Sequence, residues 1–129
     1  MNRPLLTASL ILLLAVVLGA FGAHGLRDRV DAQALANWKT GVEYQFYHGL
    51  ALLFLALAGD RIRAASLVWA RRAFVLGIIG FSGSLYLLAT RPVLGTEALT
   101  AFLGPITPLG GLLFIAGWVL LVSGALRKS

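Results

Sequence analysis

Most of the side chains that could do chemistry, the arginines aside, lie in one run and a few scattered partners. The run is Glu43-Tyr44-Gln45-Phe46-Tyr47-His48. At helical spacing Glu43, Tyr44, Tyr47 and His48 fall within about 140° of one another, so one face carries a carboxylate, two phenols and an imidazole. An imidazole titrates near physiological pH and can relay protons. With Glu43, His48 could also offer two ligands to a metal, which needs three or four at fixed distances. Lys39, four residues before Glu43, could instead neutralise that carboxylate along the helix. Ser82 and Tyr86 share one face of a later helix, and Thr107 sits in the proline-interrupted run Gly104-Pro105-Ile106-Thr107-Pro108. The simplest role for these groups is a hydrogen-bonded knot between helices, at roughly 0.6 kcal/mol per bond. His24 projects away from the packing face of its own helix, which separates it from His48.

Other chemistry is excluded. The chain has no cysteine and a single methionine, so thiolate metal sites, iron–sulfur clusters, disulfides and thiol nucleophiles are absent. Ser82-Gly83-Ser84 has hydroxyls but no Asp-His partner at a suggestive spacing. No glycine run ends in the Gly-Lys-Ser/Thr of a phosphate-binding loop. Catalysis, metals and cofactors therefore have no motif, and an enzyme is the less favoured reading.

The elements that must position the cluster follow from composition. Of 129 residues, 59% are hydrophobic and 12% charged. Soluble domains carry roughly 25% charged residues. A membrane-crossing helix needs about 20 mostly apolar residues. Four stretches qualify, at about 4–26, 40–59, 69–90 and 105–126. The expected fold is all-α, one integral-membrane domain over 1–129 built as a four-helix bundle. The first stretch is too long for the apolar part of a signal peptide. The net charge of +6 falls in short clusters between apolar runs, a pattern of membrane anchors and not of nucleic-acid binding.

Orientation follows the lysines and arginines. With four spans, Arg3, Arg61, Arg63, Arg71, Arg72, Arg127 and Lys128 share one side, and Arg27, Arg29, Lys39 and Arg91 the other. The seven-to-four excess puts both termini in the cytoplasm. In the outer loops Asp31 can cap an outward extension of the second helix. Thr96 to Phe102 reads as a short interfacial helix capped by Thr96 and closed by Gly104-Pro105.

Lipid tails are as apolar as leucine, so close contact through small residues must hold the helices together. Gly19 and Gly22 stripe the first helix, Gly77 and Gly80 the third, and Gly110, Gly117 and Gly124 the fourth. The segments 18–25 and 76–83 share a leucine and three glycines at equal spacing. A parallel repeat of two hairpins would give this, but the glycine content of membrane helices accounts for it as well.

Several runs stand together in the order of one known family: Gly19-Ala20-Phe21-Gly22-Ala23-His24-Gly25, Thr40-Gly41-Val42-Glu43-Tyr44-Gln45 with Tyr47-His48, Phe81-Ser82-Gly83-Ser84-Leu85-Tyr86, Ile106-Thr107-Pro108-Leu109-Gly110-Gly111, and Gly117-Trp118. The chain resembles the domain-of-unknown-function 423, or YgdD-like, proteins, with transmembrane protein 256 a more distant relative. The resemblance implies a four-helix protein of the bacterial inner membrane and carries no catalytic role with it. Three functions stay open. The first is a scaffold or accessory protein acting through helix contacts with itself or a larger membrane complex. The second is a small proton-coupled transporter or channel subunit using His48. The third is a lipid- or quinone-binding protein with a cleft beside Tyr44, His48 or Tyr86.

Overall fold

The chain enters helix almost at once, because the Asn2 side chain accepts from the Leu5 amide at 3.1 Å and Pro4 stands in the first turn. The computed structural model describes residues 1–126 and consists of helices joined by short turns. Helix α1 is Arg3–Leu26, its last turn, Gly22–Leu26, widened to π-helix. Helix α2 is Ala32–Leu57. Helix α3 is Ala64–Ala89 and carries a π-helical turn at Ile78–Ser82. A single turn, α4 (Arg91–Leu94), and a 3-10 turn, Glu97–Leu99, lead into α5, Thr100–Leu126. Gly59 and Gly95 take left-handed backbone, φ +62° and +67°, at the ends of α2 and α4, where a side chain would be strained.

Three of these rods are long and apolar enough to cross a membrane: Arg3–Leu26, Ala64–Ala89 and Glu97–Leu126. The expected second span behaves differently. Helix α2 has 26 residues, as many as α3, but its first two thirds carry Gln33, Asn37, Lys39, Glu43, Gln45 and His48, and it falls short in apolarity. The earlier start expected at Asp31 is real: its carboxylate accepts from the Ala34 amide at 2.7 Å and starts the helix eight residues before Thr40.

The loop before α5 departs from expectation. Thr96 makes no capping bond, and no separate interfacial helix ends at Gly104-Pro105. Instead the helix starts at Thr100, whose hydroxyl donates to the Glu97 carbonyl at 2.7 Å, and runs on through Pro105 and Pro108. Each proline removes one backbone bond, a loss that membrane helices tolerate. Arg127 and Lys128, counted above for orientation, lie outside the described residues.

Helix α1 packs chiefly on α2, α3 on α5, and α2 bridges to α3. The main core joins Ala8, Leu52, Leu55, Ala70, Phe74, Ile78 and Phe114; a second cluster joins Leu26, Trp38, Val42 and Ala89 towards the other end. Much of α1 faces outward, with Leu10, Leu13, Leu14, Val16 and Val17 exposed. That is the arrangement for lipid.

The glycines mark where helices touch. A Cβ on Gly22 would lie 2.5 Å from the Trp38 ring, one on Gly77 2.5 Å from Phe114, and one on Gly117 2.5 Å from Phe74. One on Gly124 would lie 2.6 Å from Ser66. At Gly19 the nearest atom, on Val42, is 3.4 Å away, and at Gly80 the nearest is Gly110 Cα at 3.3 Å. At Gly110 it would run into the Phe81 amide, so α3 and α5 are in direct backbone contact. In 18–25 Gly19 and Gly22 face the next helix, α2, and Gly25 meets its own helix's Phe21; in 76–83 Gly77 and Gly80 face α5 and Gly83 meets nothing. Both copies also slip into π-helix, at Gly22–Leu26 and Ile78–Ser82.

Candidate functional site

The inward stripe of α2 runs Trp38, Gly41, Gln45, His48, Leu52, Leu55, all buried. These positions are spaced 3, 4, 3, 4 and 3 apart, the interval of a helix seam. The face expected to carry Glu43, Tyr44, Tyr47 and His48 together is split by this geometry. His48 is 4% exposed. Tyr44 sits on the edge of the stripe, Tyr47 is 55% exposed, and Glu43 points outward. An arc of about 140° is wider than the buried stripe of one helix can hold. Lys39 is exposed as well, and no ion pair joins it to Glu43; among the described residues only Arg27 and Asp28 pair, at 3.9 Å.

His48 is fixed on every side. Its Nδ1–H donates to the Tyr44 carbonyl at 2.8 Å. Its Nε2 accepts from the Trp118 indole N–H at 3.1 Å. One nitrogen donating and the other accepting is the pattern of a neutral imidazole. The Phe114 ring stacks on it, centroids 3.6 Å apart and 8° from parallel, and Phe74 and Trp118 close the sides at 5.2 and 6.0 Å. With both nitrogens engaged, no lone pair is free for a metal. No group of three His, Cys, Asp or Glu side chains comes together among the described residues.

The other buried polar residue of α2 is Gln45, which was not singled out in the sequence. Its Nε2 donates to the Ile11 carbonyl of α1 at 2.9 Å, and its Oε1 accepts from the Tyr86 hydroxyl of α3 at 2.6 Å. The 3-and-4 spacing with Trp38, Gly41 and His48 is the signal that could have found it. Ser82, wholly buried, donates to the Gly41 carbonyl at 2.6 Å. Trp38 donates to the Leu18 carbonyl at 2.9 Å, and the Ser84 and Thr107 hydroxyls share a bond of 2.6 Å. Helix α2 is thus bonded to all three other long helices. Tyr44 gives its ring to Phe81, Phe114 and Tyr47. His24 is exposed and joins neither group. Phe74, Phe114 and Trp118, which wall in His48, read in the sequence as ordinary apolar residues of α3 and α5.

The profile of a family described as "Protein of unknown function (DUF423)" matches residues 18–111, which hold the whole of this polar seam except Ile11 and Trp118. The chain belongs to the DUF423 family. Its relatives are named as membrane proteins. The inner membrane protein YgdD of Escherichia coli is 45% identical over 112 residues, covering 87% of this chain and 80% of the relative. The membrane protein YwdK of Bacillus subtilis is 42% identical over 116 residues, 89% of each chain. A membrane protein of Staphylococcus haemolyticus is 39% identical over 122 residues, covering 95% and 93%. No solved structure matches. This DUF423 protein is an integral protein of the bacterial inner membrane.

Proposed function

We propose that this DUF423 protein is a small four-span scaffold or accessory protein whose polar seam is structural. The observation that carries the reading is His48: both ring nitrogens are engaged and a phenylalanine lies flat on the ring. A proton relay needs a ring that can release one partner and meet water or a second titratable group. Glu43 points away, and Tyr44 offers His48 its carbonyl and not its hydroxyl. A dry imidazole of this kind ties α5 to α2 instead.

The same seam supports a fourth crossing. Helix α2 spans about 39 Å at 1.5 Å per residue. The turns at 27–31 and 58–63 are short, so α2 returns beside α1 and α3 through the same layer. Its polar residues meet neighbouring helices, which lowers the cost of carrying them across. Four crossings place both termini on one side, and the basic residues make that side cytoplasmic. The narrow single domain spends its glycine faces within the bundle and leaves helix faces rich in leucine and valine, such as Leu10, Leu13, Leu14, Val16 and Val17 of α1, for lipid, a second copy or a larger membrane complex.

His48→Phe tests the reading. Reconstituted wild-type protein should pass protons no faster than empty liposomes, and the variant should lose thermal stability in detergent without any change in flux. Proton flux well above empty liposomes, abolished in a variant of unchanged stability, would overturn the structural role.

A further inference from the structure

At the end of the molecule opposite His24, a cavity of about 670 Å³ opens between α1 and α3. It lies within the size range of ligand pockets, roughly 300–1,000 Å³. Its mouth holds three arginines, Arg3 from the start of α1 and Arg71 and Arg72 from α3. None of the three pairs with a carboxylate among the described residues. Its body is apolar, floored by Leu52 and walled by Leu76, Leu113 and Leu120. The opening exists because α1 packs on α2 and leaves its flank towards α3 uncovered.

Two of the three arginines are held in place. Arg71 Nη2 donates to the Leu55 carbonyl at 2.7 Å, which anchors the guanidinium at the inner rim. Its Nε is buried and has no partner. That nitrogen has no accessible surface, so a ligand in the cavity would meet the outer edge of the guanidinium. The Arg72 guanidinium stands 4.8 Å over the Trp69 ring, and Trp69 lies at the mouth. Arginine recognises phosphate oxygens by paired hydrogen bonds. Basic pockets between membrane helices bind anionic lipid headgroups, and tryptophan favours the headgroup level.

We propose that this cavity binds one anionic glycerophospholipid of the adjoining leaflet. The phosphate sits among Arg71, Arg3 and Arg72 and takes hydrogen bonds from the guanidinium nitrogens that line the cavity. An acyl chain lies along Leu52, Leu113 and Leu120. The occupant is a lipid and not an acidic segment of a protein because the apolar body faces the bilayer side of the bundle. The site is independent of any role of His48.

The test is native mass spectrometry of the full-length protein in detergent, with equal amounts of phosphatidylglycerol and phosphatidylcholine of identical chains. Phosphatidylglycerol should be retained at least about ten-fold over phosphatidylcholine. Each arginine near the headgroup contributes about a five-fold preference. Arg71→Gln should therefore lower retention about five-fold and Arg3→Gln/Arg72→Gln more. Arg61→Gln/Arg63→Gln, which removes equal charge outside the cavity, should leave it unchanged. Arg71 also anchors α3 to α2, so if Arg71→Gln fails to fold the Arg3/Arg72 double variant carries the test alone. Equal retention of the two lipids overturns the site. So does an equal loss in the Arg61/Arg63 variant, which would show only diffuse surface attraction. Displacement of phosphatidylglycerol by millimolar inorganic phosphate, or by an acidic peptide, would also overturn it, in favour of a soluble occupant.

Discussion

Helices α3 and α5 meet through glycines, with the backbone of Gly110 against that of Gly80 and Phe81 and the rings of Phe114 and Phe74 lying over Gly77 and Gly117. One side-chain bond, Ser84 to Thr107, joins them. Helix α2 adds a second kind of contact. Trp38, Gln45 and His48, with Ser82 and Tyr86 from α3 and Trp118 from α5, link it to all sides by hydrogen bonds. Burial of apolar surface does not drive association in lipid, so a bundle has two other means: close backbone packing and interhelical hydrogen bonds. This protein weights them differently at different interfaces. Helices α3 and α5 rely almost wholly on the first, and α2, the one rod too polar to qualify as a span on its own, adds the second to its close contacts at Gly22, Gly41 and Gly49.

The contrast predicts a graded series of losses, each read as unfolding free energy in detergent. Gly110→Ala should cost the most, about 3 kcal/mol, because the new methyl meets backbone that cannot swing aside. Gly111→Ala next to it, where the nearest atom is a phenylalanine ring at 3.7 Å, should be close to neutral. If both variants behave alike, helix propensity and not contact governs this interface. Gly117→Ala should cost about 2 kcal/mol, since the Phe74 ring in its way is fully buried and has little room to turn. Gln45→Leu removes two interhelical bonds and should cost about 1 kcal/mol, at roughly 0.6 kcal/mol each. A double-mutant cycle with Tyr86→Phe should return a coupling of about 0.6 kcal/mol, and a value near zero would remove that bond from the account. The smallest effect belongs to Gly83→Ala. Its Cβ meets nothing, so the change should stabilise by under about 1 kcal/mol through backbone entropy alone. A Gln45→Leu variant that unfolds while Gly110→Ala is tolerated would reverse the whole assignment.

Much of this was legible in the residues. Hydropathy marked the long helices, Asp31 marked the start of α2, and the glycine spacing marked the faces that touch, because each depends on local sequence alone. The site was harder. A count of polar residues on α2 points to Glu43, Tyr44 and Tyr47, whereas the seam passes through Gln45, since its direction is set by what α1 and α3 present. Phe74, Phe114 and Trp118 carry no polar pattern of their own, and only the meeting of three helices makes them a box around His48. Gly104-Pro105 looked like a stop, yet a helix that begins only at Thr100 carries on through both prolines.

The duplicated glycine segments bear on how the chain is assembled during synthesis. Each opens a hairpin that finds its own partner, α1 with α2 and α3 with α5, and the turn between hairpins, around Gly59, touches nothing at that residue. Each hairpin can then enter the bilayer as a unit as it leaves the ribosome, with the bonds from α2 to α3 and α5 closing last. Cut in that turn and produced as two separate polypeptides, the halves should find each other in the membrane and co-purify.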